Sequence, residues 1–201
     1  RFLSLLCDAV DAKFAPLRLL SLLKHPYCAG GMNPIQFRHF VDQIELAALR
    51  GPRLGDGLPA IAAALDDAEL RNFFETHVIA NLGTLIDCWQ APNPTLASLA
   101  DGIAEAAERL CATVMDSNGV GADRGAGAIE LWKNADGMAA SDLFRSLAAD
   151  GRDSAIDAGD MPQILRQLLE DINVHPFGTP HPRLAILGAV EARMHLARAV
   201  D

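Results

Sequence analysis

Residues 93–114 read NPTLASLADGIAEAAERLCATV, and this stretch carries the clearest structural signal in the chain. Its apolar residues recur every three or four positions, the spacing that places them on one face of an α-helix. Asn93 followed by Pro94 is a typical helix beginning, with an N-cap and then proline in the first turn. The apolar stripe consists of Leu96, Leu99, Ile103, Ala106, Leu110 and Val114. We therefore expect one long amphipathic helix here.

The segment before it carries a second stripe of the same kind. Asp66 or Asp67 can cap this helix, and QAPNP at 90–94 separates it from the next one. Two long helices with so short a connection are expected to pack as an antiparallel hairpin. The residues expected on its buried side are Leu70, Phe73, Phe74, Val78, Leu82, Leu85 and Ile86.

Helical spacing continues outward from this hairpin in both directions. Pro16 should separate a first helix from a second, and Asn33 with Pro34 marks the start of a third. After the hairpin we expect a helix from about Asp136 to Ala149 and one capped by Asp160. Aromatic residues are only 5% of the chain, so Leu, Ala, Ile and Val must fill the core. The prediction is a mainly α, bundle-like helical domain over residues 1–176, with a short C-terminal β-strand after it.

Two segments modify this picture. The glycine-rich residues 117–128 are a candidate hinge that could divide the helical domain into two sub-lobes. Arg183 to Leu187 is a short apolar run bounded by Pro182 and Gly188, as in a strand covered on both faces. Since no other segment offers it a sheet, we expect the sheet to belong to sequence outside this chain.

Composition narrows the function classes. The chain has 17 Lys and Arg against 26 Asp and Glu, a net charge of -9, so most of its surface should repel nucleic-acid phosphates. The four cysteines are distant and irregularly spaced, which indicates reduced, mostly buried thiols and a cytoplasmic protein. No apolar run approaches the ~20 residues that span a bilayer, so we expect no membrane partner.

Motifs for catalysis or metal binding do not emerge from the sequence. Gly127 is followed by Ala-Ile where a P-loop needs Lys and a hydroxyl residue, and it also occupies the place of the bidentate Glu in an EF-hand loop. The six histidines do not form HExxH or a similar metal-binding spacing. We therefore expect no catalytic residues, no metal site and no cofactor in this chain.

Lys24 and His25 form the one candidate phosphate contact suggested by local sequence. They follow an apolar helical run, so they should lie at a helix C-terminus, where cations complement the helix dipole. That structural role and a contact with a phosphate both remain open. Trp132, set among apolar neighbours, is similarly expected to anchor the core, with a role at an interface as the alternative.

The chain also resembles a known family. It is similar to the AddB-type subunit of bacterial double-strand-break repair helicase–nucleases, in its alphaproteobacterial form, along nearly its whole length and in the same order. In that family the motif L-G-x-x-E-A-R, matched at 187–193, is followed by an aliphatic strand and an L-G-G-L-N-E-G-x-W-P segment. The stretches that carry the resemblance are LLSLLKHPYCAGG at 19–31, ALRGPR at 48–53, IELWKNADGMAASDLF at 129–144 and HPRLAILGAVEARMHLARAVD at 181–201.

The resemblance implies that this chain is an internal fragment. Residues 1–176 would be the helical insertion of a helicase-like lobe, and residues 177–201 would be the start of the return into that α/β lobe. Gly188, Glu191 and Arg193 match the family's counterpart of a helicase motif near the DNA backbone. The Lys-Gly pair of motor helicases is missing before Glu191, which fits a subunit that is not a motor. Arg183 and Arg193 could reach phosphates, although Arg193 could equally pair with Glu191. The family's iron–sulfur cluster and nuclease metal ions would lie outside this fragment.

These observations lead to two expectations of function. The first is a non-catalytic helical domain of a DNA repair subunit, which braces the DNA channel and contacts the AddA-type helicase–nuclease partner, with DNA bound through the full-length protein. The second is a self-sufficient helical adaptor that binds protein and has no DNA role. A helical enzyme acting on a small molecule is the weakest reading, because the sequence shows no convergent polar cluster.

Overall fold

The computed structural model describes residues 1–50, 57–113 and 124–172. This part of the chain is mainly helical, as predicted. The predicted strand at 183–187 lies outside the described residues, and so does most of the candidate hinge at 117–128. The first helices are α1 (Phe2–Asp11), α2 (Pro16–Leu23), α3 (Pro34–Ile44), α4 (Leu58–Ala63), α5 (Ala68–Phe73) and α6 (Ala80–Gln90).

The remaining helices follow after the connection at 91–95. Two helices are extended by π-helical turns: Glu45–Leu49 continues α3, and Phe74–Ile79 links α5 to α6. A short 3₁₀ turn, Ala158–Asp160, precedes the last helix. The later helices are α7 (Leu96–Cys111), α8 (Arg124–Trp132), α9 (Ala135–Asp150) and α10 (Met161–Glu170).

Helix α7 lies at the centre of the described structure and packs against α1, α6, α8 and α9. Its sequence explains this position, since small and branched apolar residues cover much of its circumference and let neighbouring helices approach. Val114, the last residue of the predicted stripe, lies outside the described residues. The buried residues of α7 are Ala97, Leu99, Ala100, Gly102, Ile103, Ala106, Ala107, Leu110 and Cys111.

Helices α6 and α7 form the expected antiparallel hairpin. Gly102, in the middle of α7, lies against Leu85 and Cys88 of α6. Further along α7, Arg109 reaches back to the carbonyl oxygen of Ala80, at the start of α6, with an Nη1–O distance of 3.4 Å. Because later residues of α7 meet earlier residues of α6, the two helices run in opposite directions.

The start of α7 differs from the prediction. Its N-cap is Thr95, and Thr95 and Ser98 form a reciprocal capping box in which each side chain binds the other's backbone N–H. The N-cap therefore lies two residues later than the Asn93-Pro94 pattern predicts. The carbonyl oxygen of Pro94 instead accepts a hydrogen bond from the Ile156 N–H at 3.0 Å, next to an isolated antiparallel bridge between Thr95 and Ala155.

Of the other predicted N-caps, two are confirmed and one makes no capping hydrogen bond. Asn33 and Asp67 cap α3 and α5 as expected, because each side chain accepts two backbone N–H bonds of its helix. Asp160 stands at the N-cap of α10, but its side chain makes no cap hydrogen bond. The capping side chain is Asp157, three residues earlier, which accepts from the Gly159 N–H and starts the 3₁₀ turn.

Two connections fix the N-terminal helices against the rest. Gly30 and Gly31 have φ values of 57° and 82°, and their N–H groups donate to the carbonyl oxygens of Leu110 and Ala112 at the end of α7. The turn after α1 also enters the left-handed region, with φ of 49° at Lys13 and 56° at Phe14. This turn reverses the chain and brings α2 against α1.

Candidate interaction cleft

Lys24 lies at the C-cap of α2, as predicted, but its charge is engaged within the protein. Its ammonium Nζ pairs with Asp42 Oδ1 at 2.8 Å and with Glu45 Oε2. Hydrogen bonding to Asp42 and then to Glu45 raises the pKa of Lys24, so the group remains a cation held by two carboxylates. Arg50 also binds Glu45, at 2.8 Å. This network gives Lys24 a structural role and leaves the proposed phosphate contact as a prediction.

His25 lies in a small aromatic cluster. Its ring centroid is 5.0 Å from that of Phe2 and 5.4 Å from that of Tyr27. Its Nδ1 accepts a hydrogen bond from the Tyr27 N–H at 3.3 Å. Burial is the largest of the effects that lower the pKa of His25, so the imidazole is neutral at pH 7. A neutral ring is a weaker phosphate ligand than an imidazolium.

The other predicted nucleic-acid contacts cannot be placed beside this pair. Arg183, Gly188, Glu191 and Arg193 all lie outside the residues that the structure describes. Their proposed role therefore rests on the family resemblance alone.

One cavity of the described structure is an apolar cleft, which we call the Trp89 cleft. It has a volume of about 820 Å³ and is walled by the end of α1, the following turn, the start of α4, α6 and the 3₁₀ turn. Its volume falls within the range of roughly 300–1,000 Å³ that is usual for binding pockets. The residues that define it are Val10, Asp11, Lys13, Phe14, Gly57, Leu58, Pro59, Ile79, Ile86, Trp89, Gln90, Asp157, Ala158 and Gly159.

The walls of the Trp89 cleft are held in place by the fold. Phe14 is buried, and its N–H donates to the carbonyl oxygen of Ala9 at 2.7 Å. Leu58 is buried at the start of α4, directly after Gly57, which has φ of 88°. Backbone turns with positive φ therefore help to place two of the apolar wall residues, Phe14 and Leu58.

Charged groups lie at one end of the cleft. A methyl group placed on Gly159 would lie 3.4 Å from Asp157 Oδ1 and 3.8 Å from Asp11 Oδ1, so the two carboxylates meet at the same edge. Neither Asp11 nor Asp157 forms an ion pair with a residue in the described ranges. Lys13 is the cation among the cleft residues. The edge is acidic, and the interior is apolar.

A second hollow continues past Trp89. It has a volume of about 390 Å³ and shares Trp89, Asp157 and Ala158 with the Trp89 cleft. Its further wall is formed by Pro92 and Pro94. Trp89 thus contributes to the walls of both hollows, together with Asp157 and Ala158.

A smaller polar hollow lies on the π-helical turn at Phe74–Ile79. The Nδ1 of His77 lies 2.9 Å from the carbonyl oxygen of Gly30, and the Asn81 amide binds the carbonyl oxygen of His77 at 2.8 Å. Arg109 also lines this hollow, of about 310 Å³, and binds Glu105 at 2.6 Å. Most of its donors already serve the fold, since they tie the Gly30 loop to α6 and α7.

The cysteines follow the prediction of reduced and mostly buried thiols. All four are free, and Cys7, Cys28 and Cys111 are buried. Burial raises the pKa of Cys111 to about 12, and it also raises the pKa of Cys7 and Cys28. Such thiols carry little thiolate at neutral pH and are poor nucleophiles. Residues 1–50, 57–113 and 124–172 contain no group of three His, Cys, Asp or Glu side chains that could hold a metal ion.

Sequence reasoning did not find the cleft. Lys13 and Phe14 adopt positive φ, although glycine is the residue that usually marks a left-handed turn. Their strained geometry could therefore not be predicted from the sequence. Trp89 sits at the end of a helical stripe, where it is indistinguishable from a core residue. The cleft joins residues from four separate stretches of the chain, and such a juxtaposition becomes visible only in three dimensions.

Comparison with protein-family models, with curated proteins and with solved structures found no match to this chain. In the part of the chain that the structure describes, no helix combines the length and the apolar character that a bilayer crossing requires.

Proposed function

We propose that this chain is a non-catalytic helical domain of an AddB-type subunit of a double-strand-break repair helicase–nuclease. In this proposal it braces the DNA channel and contacts the AddA-type partner subunit, while ATP hydrolysis and strand cleavage take place elsewhere in the complex. The similarity of motifs along the chain supports the family, and the helical architecture agrees with an insertion built from helices.

The Trp89 cleft is the observation that carries the protein-contact part of this proposal. It offers apolar surface to a partner, whereas the cation predicted to meet phosphate, Lys24, is paired with Asp42 and Glu45. The net charge of -9 also disfavours extensive contact with nucleic acid. Support for the partner subunit is thus stronger than support for direct DNA binding by the described residues.

The same cleft also favours a second candidate, a helical adaptor that binds protein and has no DNA role. Both candidates use an apolar concavity to hold a partner, and they differ in whether the assembled complex works on DNA. The acidic surface fits the adaptor as well as it fits a domain that is held away from the phosphates.

Binding measurements with the AddA-type subunit and with blunt-ended duplex DNA separate the two candidates. We expect the chain alone to bind the AddA-type subunit, and the assembled complex to bind DNA with an affinity that falls steeply as salt increases. Failure of the complex to bind DNA would favour the adaptor. Failure to bind the AddA-type subunit would remove the support for the repair role.

Substitution of Lys24 tests its role within this proposal. We expect Lys24→Met to lower the melting temperature, because Asp42 and Glu45 lose the cation between them. We expect the salt slope of DNA binding by the complex to stay unchanged. A slope reduced by about one would instead restore Lys24 as a phosphate contact.

A further inference from the structure

We propose that the Trp89 cleft binds a basic amphipathic helix of a partner protein. This inference rests on the protein-contact role proposed above and adds the chemistry of the partner. The helix would place apolar side chains into the Trp89 cleft, and its Lys or Arg residues would face Asp11 and Asp157.

The apolar part of the site sets the shape of the ligand. The Trp89 cleft is lined by apolar side chains that include Phe14, Leu58 and Ile86. Apolar side chains three or four residues apart on a helix lie roughly 5–6 Å from each other, so two of them can enter a cleft of this volume together. Recognition of a helix by an apolar groove depends on such anchors one turn apart.

The acidic residues at the cleft determine that the partner should be positively charged. Asp11 and Asp157 approach the same edge, next to Gly159, and have no cationic partner among the described residues. Lys13 balances only one of these two charges. The net charge of -9 adds a longer-range attraction for cationic partners. An acidic helix would meet repulsion at the same edge.

The walls are preorganised, which favours binding. The Phe14 N–H donates to Ala9 and the Lys13 N–H donates to Val10, so the turn at this edge is closed by backbone hydrogen bonds. Asp157 is held by its bond to the Gly159 N–H at 2.9 Å. Because these groups are already ordered, less conformational entropy is lost when a ligand binds.

Two synthetic peptides probe the site. Each has about 14 residues, near the shortest length at which an isolated helix is stable, and carries the same leucines one turn apart. The other positions are Lys-rich in one peptide and Glu-rich in the other. Trp89 fluorescence is recorded in a Trp132→Phe background, so that the signal comes from the cleft. We expect the Lys-rich peptide to shift this emission and to bind at least tenfold more tightly than the Glu-rich peptide.

Charge variants test the acidic edge without emptying the cleft. The double variant D11N/D157N keeps side-chain size, and the amide oxygen at 157 can still accept from the Gly159 N–H. We expect it to bind the Lys-rich peptide about tenfold more weakly, as for the loss of two exposed ion pairs. The control D101N/E170Q removes two charges from exposed residues outside the cleft and should leave the affinity unchanged.

Three results would overturn the inference: equal binding of the two peptides, equal loss in both double variants, or NMR shifts that map away from Phe14, Trp89 and Gly159. The outcomes also separate it from the proposed function. If the AddA-type subunit binds D11N/D157N and the original chain equally, only this inference fails. If the Lys-rich peptide binds at the cleft but the AddA-type subunit does not bind, the repair role fails and the cleft remains a helix-binding site.

Discussion

Lys13 and Phe14 have backbone geometry that residues with side chains rarely adopt. Their φ values of 49° and 56° place both in the left-handed region, at a cost of roughly 1–2 kcal/mol per residue. The hydrogen bond from the Phe14 N–H to Ala9 and the burial of the Phe14 ring offset this cost. Lys13 is exposed, so burial of its side chain does not offset the cost of its backbone geometry.

Replacing Lys13 by glycine should therefore stabilise the protein. Glycine adopts positive φ without the steric penalty, and we expect K13G to gain about 1 kcal/mol, less the extra freedom of the unfolded chain. Thermal unfolding followed by circular dichroism would show this as a higher melting temperature. Lys13→Ala is the matched control, since it removes the side chain and keeps the strain. If K13A gains as much as K13G, the side chain rather than the backbone is responsible.

His25 should make stability depend on pH in one direction. Its folded pKa is lowered by burial, whereas in the unfolded chain it titrates near the usual value of about 6.5. As the pH falls below that value, the unfolded chain takes up a proton before the folded protein does, so stability decreases. The stabilising contribution is complete above pH ~6.5 and is lost towards the lower folded pKa.

The variant His25→Phe isolates this effect. Phenylalanine keeps a ring beside Phe2 and Tyr27 but cannot titrate. We expect the melting temperature of the original protein to fall more steeply between pH 7.5 and 5.5 than that of H25F. Parallel curves would mean that His25 titrates alike in the folded and unfolded chains.

Helix α6 contains a glycine that its surroundings do not require. A methyl group on Gly83 would have no neighbouring atom within 4 Å, and alanine is the better helix former. We expect Gly83→Ala to raise the free energy of unfolding by about 0.5–1 kcal/mol, measured by urea denaturation. A loss of stability would show that α6 needs flexibility at this position.

Gly137 in α9 supplies the opposite case. A methyl group there would lie 2.5 Å from the carbonyl oxygen of Leu131 and 2.9 Å from the backbone of Trp132. We expect Gly137→Ala to cost about 1–3 kcal/mol, because the end of α8 must move away from α9. A neutral result for G137A would contradict the close approach of the two helices.

The elements differ in how much their sequences reveal. Helix α7 was predictable because its long apolar stripe fits only the helical period. Its N-cap was not, because Thr95 forms a bridge with Ala155, 60 residues away in sequence, and the Pro94 carbonyl accepts from the Ile156 N–H. The π-helical turns at Glu45–Leu49 and Phe74–Ile79 keep the helical spacing of apolar residues. The spacing therefore could not distinguish them from α-helix. The local pattern of apolar residues predicts where helices form, whereas tertiary contacts determine where they begin and end.

The candidate site, too, could be predicted only in part from the sequence. Lys24 was correctly placed at a helix C-terminus, but its two partners come from the end of α3 and the π-helical turn that follows it, and only the fold brings them together. The Trp89 cleft depends on four separate stretches of the chain and on two turns with positive φ. Sequence periodicity reports which residues are buried, and it does not report which gaps remain between the helices.

At the scale of the whole molecule, one apolar core includes residues from both sides of the candidate hinge at 117–128. Helices α8 and α9 pack against α7, and α10 packs against α1. Trp132 of α8 donates from Nε1 to Glu108 Oε1 of α7 at 2.8 Å, and Arg166 lies 3.3 Å from Asp8 of α1. These contacts favour cooperative unfolding of the described helices as one unit, whereas independent sub-lobes would unfold separately.

The two tryptophans allow this to be tested directly, because Trp89 precedes the candidate hinge and Trp132 follows it. Trp132→Phe leaves Trp89 as the only reporter, and Trp89→Phe leaves Trp132. We expect the two urea-unfolding curves, each compared with circular dichroism of the same variant, to coincide in midpoint and slope, as they do for a two-state transition. Comparison within each variant removes any change of stability that the substitution itself causes. If fluorescence and circular dichroism separate, with Trp132 reporting an earlier transition than the helices as a whole, the contacts of α8 with α7 are too weak to couple the two sides. The chain would then consist of two sub-lobes joined at residues 117–128.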